Sequence, residues 1–412
     1  MMRRILAVGG LVFLASLAGA QQQLGFTMQP GRKKVVIPIE VHNNLVVVPI
    51  LLNGQLPLRF ILDTGVRTAI LTQKVYSDIL NLQYTRKYSI AGPGGEKLVD
   101  AYVTNNVTID MPGIHGEGHA LLVLEEDYLE LRSYLGVDVH GILGYELFSR
   151  FVTHIDYENK ELTLFLPGRF KPNRRTQVLP IQVLDTKPYL VTSIQQADST
   201  DLTLKLLVDS GASHSVFLES WSDKRIKVPN RNVQSIIGRG IGGAITGRIA
   251  RINSLTLGKY KIQKPTVNFP DIETYLDTLK GGNAVFRNGT IGGEVLSRFN
   301  VVFDFPGEKI YFERNSTYKS RFYYNLSGIT VKAEGTRLRR YVISELRGGS
   351  AGEQAGFQVG DVLLAINGVR TADLDLSTLN GFLNSKPNKK VRMEIERDKQ
   401  KIKKEFRLAD QI

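Results

Sequence analysis

The chain has 412 residues, a formal charge of +13 and a pI near 9.6. Hydrophobic residues make up 42%, enough for packed cores, which excludes an intrinsically disordered chain. The basic residues are scattered, so no nucleic-acid partner is expected; the densest run, Lys389 to Arg407, alternates with Val391, Met393, Ile395 and Phe406, as in a strand with one solvated face.

Residues 1–20 read as a secretory signal peptide. Arg3 and Arg4 are followed by a short apolar stretch, Ile5 to Leu17, and by Ala18-Gly19-Ala20 as a small-residue cleavage pattern. No later segment offers the roughly twenty apolar residues of a spanning helix, so no transmembrane anchor is expected. The chain has no cysteine, so an exported form carries neither disulfides nor a lipidated cysteine. That combination fits a bacterial periplasm or cell exterior. Residues 21–34 are expected to be a linker.

From there the elements are short and mostly β. Val46, Val48, Ile50 and Leu52 alternate up to Asn53-Gly54, a hairpin signal, and Leu56, Leu58, Phe60 and Leu62 alternate after it. Gln73 to Leu80 and Glu146 to Phe151 are short helix candidates. Val103 to Ile109 and Leu162 to Leu166 read as strands.

The chain then repeats itself, which a fold assignment must respect. Gly144-Tyr-Glu-Leu-Phe-Ser-Arg-Phe151 recurs as Gly292-Gly-Glu-Val-Leu-Ser-Arg-Phe299, with Asp156 and Asp304 at matching distances behind them. Phe60-Ile-Leu-Asp63-Thr-Gly65 pairs with Leu206-Leu-Val-Asp209-Ser-Gly211, and Ser89-Ile-Ala-Gly92 with Ser235-Ile-Ile-Gly238. Three blocks in one order at nearly one offset predict two homologous halves, 35–170 and 171–318.

Asp63 and Asp209 each end an apolar strand and meet a hydroxyl residue and a glycine. A lone carboxylate at such a place is costly without donors or a partner. Thr64 and Ser210 can donate and accept bonds that hold the turn, and Gly65 and Gly211 permit close backbone approach. One Asp-Thr-Gly is an ordinary turn signal; two in register within a duplication point to a pair. Two carboxylates in contact share a proton, so one can act as base on a water while the other polarises a carbonyl.

With these blocks the sequence resembles the aspartic peptidases, pepsin-like and retroviral-like, over residues of about 35–316. The compact halves are closer to the retroviral-like kind. The resemblance implies an all-β fold, two acid-protease barrel halves forming an intramolecular pseudo-dimer, with Asp63 and Asp209 catalytic and Thr64, Gly65, Ser210 and Gly211 supporting their loops. It places flap hairpins at Gly92, Gly94 and Gly95 and at Gly238, Gly240 and Gly242. It sets Gly141-Ile-Leu-Gly144 and Thr290-Ile-Gly292 behind the catalytic loops. Val66 stands where the family usually has alanine, as at Ala212. The implied activity is endopeptidase action on peptides or unfolded proteins, needing no metal or other cofactor; the alternative is a peptide-binding protein that retains the scaffold without turnover.

Residues 319–412 differ. Ser350-Ala-Gly352, Gly356, Gly360-Asp361 and Asn367-Gly368 resemble a PDZ domain of bacterial protease type, which implies a small α+β unit that takes a peptide C-terminus as an added strand. The expected cradle is Leu338 to Ile343, with Arg340, Tyr341, Val342 and Ile343 as binding candidates. Leu374 to Phe382 is predicted helical, and Val391 to Leu408 a strand pair.

Three further signals carry less. Gly238, Gly240 and Gly243 spell a dinucleotide fingerprint, but a strand pattern follows where a helix is needed. His115 and His119 sit among glycines that preclude a helix presenting both to a metal. His214 and Trp221 read as structural.

Overall fold

A computed structural model describes residues 24–90, 92–95, 98–275 and 285–412, so the expected signal peptide lies outside the described residues. In the first half, β1 (Leu45–Leu52) and β2 (Leu56–Leu62) form an antiparallel hairpin. Asn53 and Gly54 both take the left-handed φ that such a turn demands. Then come β3 (Ala69–Leu71), α1 (Lys74–Ile79), β4 (Tyr84–Ile90), β5 (Val99–Val107), β6 (His119–Leu124), α2 (Leu131–Leu135), β7 (Gly141–Leu143), α3 (Tyr145–Phe148), β8 (Val152–Asp156) and β9 (Glu161–Phe165).

The second half supplies β10 (Lys187–Gln195), β11 (Asp201–Val208), β12 (Val216–Leu218), β13 (Val233–Gly240), β14 (Gly243–Arg251), β15 (Thr266–Pro270), β16 (Gly289–Ile291), α4 (Gly293–Leu296), β17 (Phe299–Asp304) and β18 (Lys309–Arg314). Its sheet follows the order β10-β11-β16-β12-β15-β14-β13, and the first half follows β1-β2-β7-β3-β6-β5-β4. The duplication read from the sequence is therefore matched strand for strand.

A six-stranded sheet joins the halves, with β8 paired to β17 at its centre: Thr153 faces Phe303 and Asp156 faces Asn300. One hydrophobic cluster runs through both halves. Phe148 of the first half sits edge-on to Phe303 at 5.4 Å and stacks on Phe305 at 5.2 Å, geometries that add to the burial itself. The halves thus share a core as well as a sheet. The expected linker is partly strand: Gly25–Met28 pairs with Ile114–Glu117 and buries Phe26. Four residues with a single buried side chain are too few for a periodic signal.

The C-terminal unit has a separate core. Its sheet runs β19 (Ile329–Glu334), β20 (Arg340–Leu346), β21 (Val362–Ile366), β22 (Lys390–Arg397), β23 (Gln400–Arg407), with α5 (Leu376–Leu383) against it. Asp375 caps α5 by accepting from the Thr378 N–H at 2.6 Å. The basic run becomes β22 and β23, where Glu394 faces Lys403 and Glu396 faces Lys401.

The expected peptide cradle needs correction. Arg340, Tyr341, Val342 and Ile343 lie on β20, an internal strand: Tyr341 and Val342 pair with Leu363 and Val362 on one side, and Val342 and Ile343 with Lys332 and Val331 on the other. Tyr341 and Ile343 point into the core, and the Tyr341 hydroxyl donates to the Leu374 carbonyl at 2.7 Å. A strand with both edges paired cannot accept a third partner. The edge strands of this sheet are β19, beside α5, and β23.

Candidate active site

Asp63 follows β2 and Asp209 follows β11, so equivalent strands deliver both carboxylates to the seam between the halves. Each loop is fixed from behind by a strand running parallel to the one before it. β7 pairs with β2 and β16 with β11. The Asp63 N–H donates to Leu143 O at 2.8 Å and the Asp209 N–H to Ile291 O at 2.9 Å. Gly144 and Gly292 follow these strands, as expected. A methyl group on Gly144 would lie 2.2 Å from Val66 O, and one on Gly292 2.2 Å from His214 O. Only glycine lets the loops pack this closely.

Thr64 and Ser210 cross the seam reciprocally. The Thr64 N–H donates to Ser210 Oγ at 3.1 Å, and the Ser210 N–H to Thr64 Oγ1 at 3.0 Å. The Thr64 hydroxyl donates to Val208 O at 2.7 Å, and the Ser210 hydroxyl to Leu62 O at 2.8 Å. Both side chains are fully buried. The arrangement forms within one chain.

Above this base the carboxylates meet. Asp63 Oδ1 accepts from the Gly65 N–H at 2.6 Å, and Asp209 Oδ1 from the Gly211 N–H at 2.9 Å. The two side chains are also hydrogen-bonded to each other. Burial, and then the Asp209 charge, push the Asp63 carboxyl well above the usual range. Burial raises Asp209 too, but the Gly211 N–H, the bond from Asp63, Arg287 and Lys187 pull against it. The pair therefore shares a proton, and its titration belongs to both groups together.

The halves are not electrically equivalent. Asn288 Oδ1 accepts from the Lys205 N–H, and at the matching place His140 Nδ1 accepts from the Arg59 N–H. The preceding residues are Arg287, paired with the buried Glu219 at 2.8 Å, and Val139, buried in an apolar cluster. Likewise Lys187 opens β10 where buried Leu45 opens β1. Both added cations stand in the second half.

The glycine-rich hairpins β4–β5 and β13–β14 meet tip to tip. The Gly242 N–H donates to Pro93 O at 3.0 Å. A methyl group on Gly94 would lie 2.0 Å from Gly243 O, and one on Gly240 2.1 Å from Pro93 O. Gly92 abuts Ile241, and Gly242 faces the carbonyls of Gly92 and Gly95. Gly238 stands apart, at an irregularity in the β13–β14 pairing where an added methyl would meet only Ile245 Cδ1, at 3.8 Å. Tyr88 is exposed on β4. The glycines thus serve interlocked backbones, a purpose the sequence did not disclose.

Two other expectations resolve simply. His119 is buried and bonds Glu146 at 2.5 Å, while His115 bonds Asp110 at 2.6 Å, so the two turn to different carboxylates. Trp221 packs against Phe217, Ile237 and Ile245 under the second hairpin.

Comparison with known families agrees with this geometry. The aspartyl protease family model matches twice, over residues 48–147 and 196–295, and a PDZ domain model matches 342–397. No curated protein gives a match. The chain is thus a tandem member of the aspartyl protease family with a C-terminal PDZ domain.

Proposed function

We propose that the chain is an exported aspartic endopeptidase. The observation that carries the reading is the meeting of Asp63 and Asp209, hydrogen-bonded to each other at the seam, each held by a glycine N–H. In this reading one carboxyl of the pair holds the shared proton and polarises the scissile carbonyl. The other, ionised, takes a proton from a water as that water attacks. The tetrahedral intermediate then collapses, the C–N bond breaks, and the amine leaves with a proton from the pair. No covalent enzyme intermediate forms. Export rests on the signal-peptide pattern of residues 1–20. Among the described residues no helix is long and apolar enough to cross a membrane.

The second reading is a peptide-binding protein without turnover, since interlocked hairpins also suit a cleft that closes on a bound strand. Digestion of a peptide library by the mature protein between pH 3 and 7 separates the two. Asp63→Asn and Asp209→Asn should each lower cleavage by about 10²–10⁴-fold, the usual weight of a positioned acid or base. Cleavage that survives both substitutions excludes the mechanism.

A further inference from the structure

The PDZ domain grips the protease unit at two places. At the first, α2 of the first half packs along β19, the edge strand beside α5. The Arg132 guanidinium donates to Thr336 O at 3.0 Å, the Tyr134 hydroxyl bonds Ser344, and a methyl group on Gly136 would lie 2.6 Å from Leu376 of α5. A strand adding to β19 would run between β19 and α5 at the usual spacing of roughly 4.8 Å. α2 touches both sides of that path, β19 along its length and Leu376 of α5 through Gly136.

At the second place the domain holds the β13–β14 hairpin. Val233 and Ile249, paired across its base, pack on the PDZ core. Near its tip, Arg239 forms an ion pair with Glu345 of β20 and lays its guanidinium over the Tyr134 ring at 4.7 Å. Glu345 is paired in register with Thr330 of β19. One residue pair therefore links the β19 edge to the grip on the hairpin, and Tyr134 touches both.

A PDZ domain takes an extended peptide as an added strand on such an edge; we propose that α2 shuts the β19 edge in the free protein, and that docking of a peptide there releases the second hairpin and opens the cleft. α2 cannot simply swing away, because Leu135 is buried in the first half and Arg132 bonds Asp138 at 2.5 Å. The PDZ domain must move off α2 instead. Glu345 travels with it, and Arg239 loses its partner. β19 turns Ile329, Val331 and Ala333 into the apolar core and Thr330, Lys332 and Glu334 outward, and a strand added beside it continues that alternation, so the fitting partner is an unfolded segment with apolar side chains at alternate positions. That docking opens a catalytic cleft rests on the peptidase reading above; the movement itself does not.

Hydrogen exchange on the full chain, without any proteolysis readout, tests it. Glu345→Gln and, independently, Arg239→Gln should each speed exchange roughly tenfold, as loss of one charge-assisted bond implies, in residues 236–246 and in 329–334 together. Faster exchange in the hairpin alone overturns the coupling. A pool of acetylated hexapeptides with free carboxylates and alternating apolar positions should protect 329–334, more strongly in Glu345→Gln, while 236–246 loses protection. Absence of protection at 329–334 in either chain overturns the docking edge. Failure of the peptidase reading would appear only in digestion assays, so the two failures are distinguishable.

Discussion

Thr64 and Ser210 each donate a backbone N–H to the other's hydroxyl, and each hydroxyl donates in turn to a carbonyl across the seam. The base under the carboxylates is a closed set of four bonds with no solvent in reach. Ser210→Ala removes two of them and leaves the Thr64 N–H and Leu62 O unpaired in the interior. A loss of about 2–4 kcal/mol is expected, measured as a lower urea midpoint. An unchanged midpoint would mean that the halves are held by their shared sheet and core alone.

The glycines of the two loops should differ. A methyl group on Gly211 would lie 2.1 Å from Asp63 Cγ, whereas on Gly65 the nearest atoms are Asp63 Oδ1 at 3.0 Å and Asp209 Oδ2 at 3.4 Å. Gly211→Ala is expected to abolish turnover by driving the carboxylates apart, and Gly65→Ala to leave a measurable fraction. Equal residual activities in the two variants would contradict the asymmetry.

Two buried groups give stability opposite slopes with pH. Burial pushes Glu294 up to about 7, against Arg298 and Arg251. It is protonated in the fold, so its contribution is complete below the ordinary carboxylate range and is lost as pH rises through 7. Burial and Arg287 push His214 down to about 4. It is neutral in the fold, so its contribution is complete above the ordinary imidazole value and is lost as pH falls toward 4. In the window where both titrate, about pH 4.5 to 6.5, the slopes largely cancel. Glu294→Gln should remove up to about 3 kcal/mol of loss on the alkaline side, and His214→Leu a similar loss on the acid side. Urea midpoints across pH 4 to 8 check both; a constant gap between variant and parent at all pH values rules out the assigned titrations.

Lys187 helps hold both carboxylates of the pair toward their ionised forms. Lys187→Met is expected to move the acid limb of kcat/KM upward by some tenths of a unit to about one unit, the range of a single partly screened charge. An unmoved limb would assign the bias to Arg287 alone.

Much of this was legible in the residues. The duplication, the Asp-Thr-Gly and Asp-Ser-Gly loops, the glycines behind them and the hairpin at Asn53-Gly54 follow from local pattern, and local geometry obeys it. What failed was pairing at a distance. Arg340 to Ile343 carry the right alternation for a strand, but nothing in the alternation tells an edge strand from an internal one. The glycines of Gly92 to Gly95 could be seen, yet their reason is the backbone of Gly240 to Gly243 in the other half. Arg239 looked like one more basic residue, because its ion-pair partner, Glu345, lies in another domain.

The pairing of β8 with β17 within a single chain has a genetic consequence. In a protease assembled from two identical chains, a substitution beside one aspartate is imposed on the other. Here each half mutates alone, so the second half could carry Arg287, which acts on Asp209, and Lys187, which acts on both carboxylates, while the matching places in the first half hold Val139 and Leu45. Covalent linkage turns a symmetric pair into two addresses, whose surroundings can be tuned one at a time.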